Sequence, residues 1–210
     1  MLNLFKIRGE KGDTLIEVLF AFSILSLIIV GSISVMNQGT QAAQRALETT
    51  LASQQIEAQA TTLRFLHDAY LAQYQPGATY DPATPAGQWK AISDRLTLYP
   101  SANATDFIGA ATCPPFPSGS FILDSANATV TGYQSGKIGS APVIAQVLYT
   151  GSPEVLDKSE GIWIEGIRSP AVANENVGYI DFHIMACWQT PGKGLPQTIG
   201  TIVRLNEPRG

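Results

Sequence analysis

Between Val18 and Met36 the sequence VLFAFSILSLIIVGSISVM runs for nineteen residues without Asp, Glu, Lys, Arg, His or Pro. At about 1.5 Å of rise per residue, such a helix nearly crosses a hydrocarbon core roughly 30 Å thick, so the run is membrane-capable. Ahead of it Lys6, Arg8 and Lys11 outweigh Glu10. The rule of basic cytoplasmic flanks then puts the N-terminus inside the cell and the rest of the chain outside the cytoplasm. A length of 210 residues fits one domain with an appendage, and 45% hydrophobic against 14% charged residues fits apolarity gathered in one place.

A conventional secretory signal ends its apolar run in a small-residue cleavage site, whereas NQGTQAAQRALETT continues here as helix, so no cut is expected after the run. A site stands before it instead: a short basic leader, Gly12, then DTLIE. The acid of that motif, Glu17, lies at the threshold of the apolar segment. A carboxylate taken out of water needs a partner or a position close to the interface.

The order G-x-T-L-I-E followed by V-L-F-A-F resembles the prepilin signal of type IV pilins and pseudopilins. The resemblance implies that a prepilin peptidase cuts between Gly12 and Asp13 on the cytoplasmic face, that the new amine of Asp13 is methylated, and that the apolar helix stays in the mature protein. It also implies that Glu17 of an incoming subunit meets the free amine at Asp13 of its neighbour. Such a pair adds little net stability, but a missing partner costs about several kcal/mol, which favours correct stacking. The implied partners are other pilin subunits through the N-terminal helix, the peptidase, an inner-membrane assembly platform, and membrane lipid before assembly. The implied destination is an extracellular pilus. The chain departs from many members in carrying Asp13 where they carry Phe, and Gly31 and Gly39 where major pilins bear a proline. TLIEVLFAFSILS looks more like the minor pilins, which initiate or modify filaments. Two alternatives remain: a pseudopilin of a type II secretion or DNA-uptake machine, and an uncleaved signal-anchored protein whose head captures an extracellular ligand.

Helical periodicity persists from Asn37 to about Tyr74, with Ala43, Leu47, Leu51, Ile56, Leu63, Leu66, Tyr70 and Tyr74 on one side and Gln41, Gln44, Arg45, Glu48, Gln54 and Glu57 on the other. Pro76 and Gly77 stop it. A helix of about sixty residues would be about 90 Å long. The domain reading is a leader at 1–12, a membrane or filament-core helix at 13–36, its amphipathic continuation at 37–76 and a β-rich head at 77–210. The head opens with a Pro/Gly/Ser-rich stretch holding a short helix near Gly87 to Leu96. Its period then changes to two, and SFILD, APVIAQVLYTG, EGIWIEGIRS, VGYIDFHIMACW and QTIGTIVRL read as strands. A long N-terminal helix packed on an antiparallel sheet makes the class α+β, as in pilin heads.

Cys113 and Cys187 are the only cysteines, and an even count outside the cytoplasm predicts one disulfide. Its place loosely resembles the bond that pins the C-terminal region of many pilins. Alternation in YIDFHIMACW puts Asp181, His183 and Cys187 on one face, a set that could suggest nucleophilic catalysis. A solvent-facing polar side with its cysteine in a disulfide is the stronger reading, and no GxSxG, HExxH, Walker or dinucleotide motif supports an enzyme. Asp157, Glu160 and Glu165 lack the spacing of a calcium loop and read as solvated turn acids. No metal or cofactor is expected. Asn103 and Asn127, each in NAT, match glycosylation acceptors. Some pilins bind DNA, but losing a leader of net charge +2 takes the formal charge from −4 to −6, and no basic cluster with interleaved aromatics stands out. Nucleic-acid binding is not expected.

Overall fold

The computed structural model describes residues 15–96, 112–132, 138, 143–169, 177–190 and 195–208. The chain divides into two compact units, Met1–Ala46 and Leu47–Gly210, and the division falls inside the first helix, α1 (Leu15–Gln73). A second helix, α2 (Pro85–Ser93), precedes seven strands: β1 (Phe121–Asp124), β2 (Thr129–Gly132), β3 (Gln146–Thr150), β4 (Val155–Glu160), β5 (Ile162–Arg168), β6 (Val177–Trp188) and β7 (Gln197–Pro208). The fold class is α+β, as the sequence indicates.

In the second unit, five strands form an antiparallel sheet in the order β2-β1-β5-β6-β7, and β3 and β4 pair in a separate two-stranded sheet. Alternation along β6 sends Ile180, Phe182, Ile184, Ala186 and Trp188 to one face, where Ile162 and Ile164 of β5 and Val203 of β7 join them. Ala52, Ile56, Ala60, Leu63 and Leu66 of α1, Trp89 and Ile92 of α2, Phe121 to Leu123 of β1, and Val147 and Leu156 of the small sheet pack into the same core. Burying side chains such as Leu63 and Leu66, both fully enclosed, contributes about 1.5–3 kcal/mol each.

The packed stripe of α1 differs from the expected one. Ala43, Leu47 and Leu51 are exposed, and the buried positions are Ala52, Ile56, Gln59, Ala60, Thr62, Leu63, Leu66 and His67. The step of five from Leu51 to Ile56 is the reason: at 100° per residue, five residues carry a side chain well around the helix, so the two leucines belong to another face. The helix ends at Gln73, and Gly77 follows with φ +76°.

Two glutamines finish the sheet where strands do not reach. β5 meets β1 only at Phe121, paired with Ile164, so Leu123, which turns its N–H and carbonyl the same way, has no strand partner on that side. The amide of buried Gln59 takes that place: its Nε2 donates to the Leu123 carbonyl at 2.8 Å and its Oε1 accepts from the Leu123 N–H at 2.8 Å. On the outer side of the hairpin, Oε1 of Gln88 in α2 accepts from the Val130 N–H of β2 at 2.8 Å.

Helix α2 starts earlier than its apolar spacing suggests because Thr84 caps it, accepting from the Gly87 N–H at 3.2 Å, with Pro85 opening the first turn. β2 and β4 are additional to the strands read from the sequence. EGIWIEGIRS is not one strand: Glu160 closes β4, and Gly161, at φ +65°, turns the chain from the small sheet into the large one.

Cys113 and Cys187 are joined, closing 74 residues of sequence separation, with Cα atoms 5.8 Å apart. The bond ties the segment entering β1 to the sheet face opposite α1, where Phe116 meets Trp163 edge-on at 5.1 Å. Replacing both cysteines by serine should lower unfolding free energy by up to roughly 4 kcal/mol on chain-entropy grounds. Urea unfolding of the oxidised protein and the double variant in the same detergent would measure the difference.

Candidate functional site

Among the described residues, α1 is the helix long and apolar enough to cross a membrane: an 18-residue window reaches a mean hydropathy of 2.5, and none of it is buried. Phe20 is 71% exposed, Leu27 73% and Val30 67%, values that no water-facing helix sustains over five turns without cost. Most of the hydroxyls within it are satisfied locally. Ser23, Ser26 and Ser32 each donate to the carbonyl four residues back at 2.8 Å, and Thr40 does the same to Met36 at 2.6 Å. The helical backbone and these four hydroxyls therefore find their partners inside one helix, a condition that a lipid interior imposes.

Glu17 lies in the first turn of α1 as described, exposed between Ile16 and Val18. It is the one charged side chain from Leu15 to Gln44. A carboxylate there complements the positive end of the helix dipole. Gly12 and Asp13, the expected cleavage and methylation positions, lie outside the described residues, as does Asn103.

The remaining candidates take other roles. Cys187 is held by Cys113, and there is no free cysteine among the described residues, so the face bearing Asp181 and His183 presents no thiol. Asp181 is engaged by Arg204 of β7 in a two-pronged pair, Nε and Nη2 each 2.7 Å from a carboxylate oxygen, and the guanidinium lies 4.0 Å from the centre of the Tyr179 ring. Asp157 and Glu160 lie in β4 rather than in a turn; Lys158 donates to Glu160 at 2.6 Å. Glu165, expected to be solvated, is 5% exposed in the middle of β5 opposite His183, because Trp163 and its neighbours on that face are covered. No cluster of three metal-binding side chains occurs among the described residues. Asn127 uses its amide in the β1–β2 turn, donating to Asp124 Oδ2 at 3.0 Å and to the Glu154 carbonyl at 2.9 Å.

Three polar residues of α1 that sequence reasoning missed bind the helix to the head. Glu48, placed on the solvent side by the pattern, accepts from the Trp188 indole at 2.9 Å and from the Thr190 hydroxyl at 3.3 Å. Gln59 pairs with Leu123, and Nε2 of His67 donates to the Asn206 carbonyl at 2.8 Å. His67 also stands edge-on to Trp89, with centroids 4.9 Å apart. Beside it burial raises the Tyr70 hydroxyl above its ordinary range, reinforced by Tyr80, Tyr74 and Glu207. The available signal was their spacing: 56, 59, 63, 66, 67 and 70 follow one helical face regardless of polarity.

No family model, curated protein or solved structure matches the chain.

Hydrogen bonding to Arg204 holds the Asp181 carboxyl below the usual carboxylate range. A depressed folded-state value means that the pair stabilises the head above the unfolded value near ~4 and is lost as pH falls through the lower folded one. Arg204→Gln should therefore lose stability at neutral pH and show a shallower decline below about pH 4. Urea midpoints of both proteins across that range would test this; parallel curves would contradict it.

Proposed function

We propose that the chain is a non-enzymatic subunit of a type IV pilus of the minor class. It is anchored in the cytoplasmic membrane with its N-terminus inside, cut after Gly12, and afterwards held in the filament by the apolar part of α1. One observation carries this reading: an uncovered apolar helix opens on a single carboxylate, Glu17, the last residue of the sequence G-D-T-L-I-E. An apolar surface of that length needs lipid or other apolar helices around it. A lone acid at its start is tolerated at an interface and becomes informative when a cation must be found for it. The α+β head, with a long N-terminal helix laid on an antiparallel sheet, is compatible with a pilin-like fold.

In this mechanism the leader keeps the N-terminus on the cytoplasmic side, and removing it bares the amine of Asp13. Glu17 of an entering subunit then pairs with that amine on a neighbour. The head, carried outside the cytoplasm, takes no part in the chemistry of cleavage.

Mass spectrometry of the protein extracted from membranes should give an N-terminus at Asp13 carrying one added methyl group. A chain starting at Met1 would refute processing. Glu17→Ala should leave membrane insertion unchanged and abolish incorporation into sheared filaments, and a variant that assembles normally would refute the pairing role.

A further inference from the structure

The second half of α1 is apolar on two sides. Ala52, Ile56 and Leu63 pack into the core. At about 100° per residue, Leu47, Leu51, Ala58 and Phe65 fall along a line about 140° around the helix from them. Leu47, Leu51 and Phe65 are exposed there, and large apolar side chains aligned on one open face mark an interaction surface. Six positions make up the line, Leu47, Leu51, Gln54, Ala58, Thr61 and Phe65, at steps of 4, 3, 4, 3 and 4. That is the spacing of a two-helix seam, in which a row repeating every ~3.5 residues meets a like row on a second helix.

The row matches a second copy of itself. In a parallel, in-register pair, Leu47, Leu51 and Phe65 would each meet their own counterpart. Ala58 and Thr61, small and lining an open notch with Gln54, Glu57, Thr62 and Ser125, would let the two helices come close. Gln54 is the one amide in the row, and in this register it meets another amide, the device by which a polar residue in a seam fixes alignment. The flanks agree. Glu57 and Arg64, joined at 3.4 Å along one side of the seam, would come opposite Thr62 and Ala69 of the second copy, so no like charges meet. Asp68 holds the next inward position and would face its own copy, which ends the seam at Phe65.

We propose that the outer face of α1 from Leu47 to Phe65 is the seam of a parallel dimer of this chain, formed while both copies are anchored in one membrane through Leu15–Met36. The anchor decides the energetics. A seam of fewer than three heptads is weak between free chains, but copies held in one bilayer run in the same direction and meet at high effective concentration. That direction rests on the membrane reading of α1 given above.

The test is disulfide trapping on the full chain in isolated membranes. The two native cysteines are joined to each other, so a cysteine introduced on α1 supplies the free thiol. Leu51→Cys and Ala58→Cys, mildly oxidised, should give dimers whose linked peptides are identical, because two cysteines join only when their Cα atoms come within about 7 Å. Ser53→Cys, exposed on another side of the helix, should stay monomeric. Adding Phe65→Glu to Ala58→Cys should lower the dimer fraction about tenfold, the cost of a carboxylate in an apolar contact. The head's thermal midpoint should not move, since Phe65 is outside the core. Membrane-bound protein that fails to link, links equally through Ser53→Cys, links only to another protein or ignores Phe65→Glu would overturn the dimer alone. Protein recovered free of the membrane would overturn the anchored reading, and the dimer with it.

Discussion

The inner face of the five-stranded sheet depends for its cover on one stretch of α1, the longest element laid against it. Ile162, Ile164, Ile180, Phe182 and Ile184 share their core with Ala52 to Leu66 of α1, Trp89 and Ile92 of α2, and Val147 and Leu156 of the small β3–β4 sheet. Without that helix the sheet would expose a continuous apolar surface, which a lone sheet of this size does not survive in water. The same helix has no apolar cover of its own between Leu15 and Met36. One secondary-structure element thus answers two different demands along its length: a packed core in one part, and an apolar surround in the other.

Much of this was legible in the residues. The uninterrupted apolar run, the switch from a helical period to a period of two, and the punctuation at Pro76 and Gly77 each report a local physical requirement, and each corresponds to an element of the structure. The disulfide was legible from cysteine parity. Less legible were elements whose stability is not local. β2, with the sequence TVTG, and β4, with VLDKSE, have too few apolar residues to announce themselves; they exist because neighbouring strands pair with them.

The candidate residues divide along the same line. Glu17 could be read as an isolated charge because it is conspicuous in its own segment. Glu165 could not be read as buried, because the strand that flanks it at His183 is brought there only by the pairing of β5 with β6. Gln59 and Gln88 show the limit more sharply: Gln59 supplies an amide where β5 stops short and Gln88 one at the outer edge of β2, and nothing in the order of residues tells where a strand or a sheet will end. The misplacement of Leu47 and Leu51 has a different origin. The five-residue step from Leu51 to Ile56 turns the helix by about 140°, which carries these leucines off the buried face.

The serines of the apolar segment have a consequence for what that segment can live beside. Because Ser23, Ser26 and Ser32 return their protons to carbonyls of the preceding turn, the helix presents its surroundings with hydrocarbon and almost no unmet polarity. It carries its own solvation with it. Beyond Glu17, acyl tails and the flanks of other apolar helices would be similar hosts for this surface, and a move between them exchanges no hydrogen bond made by these three hydroxyls.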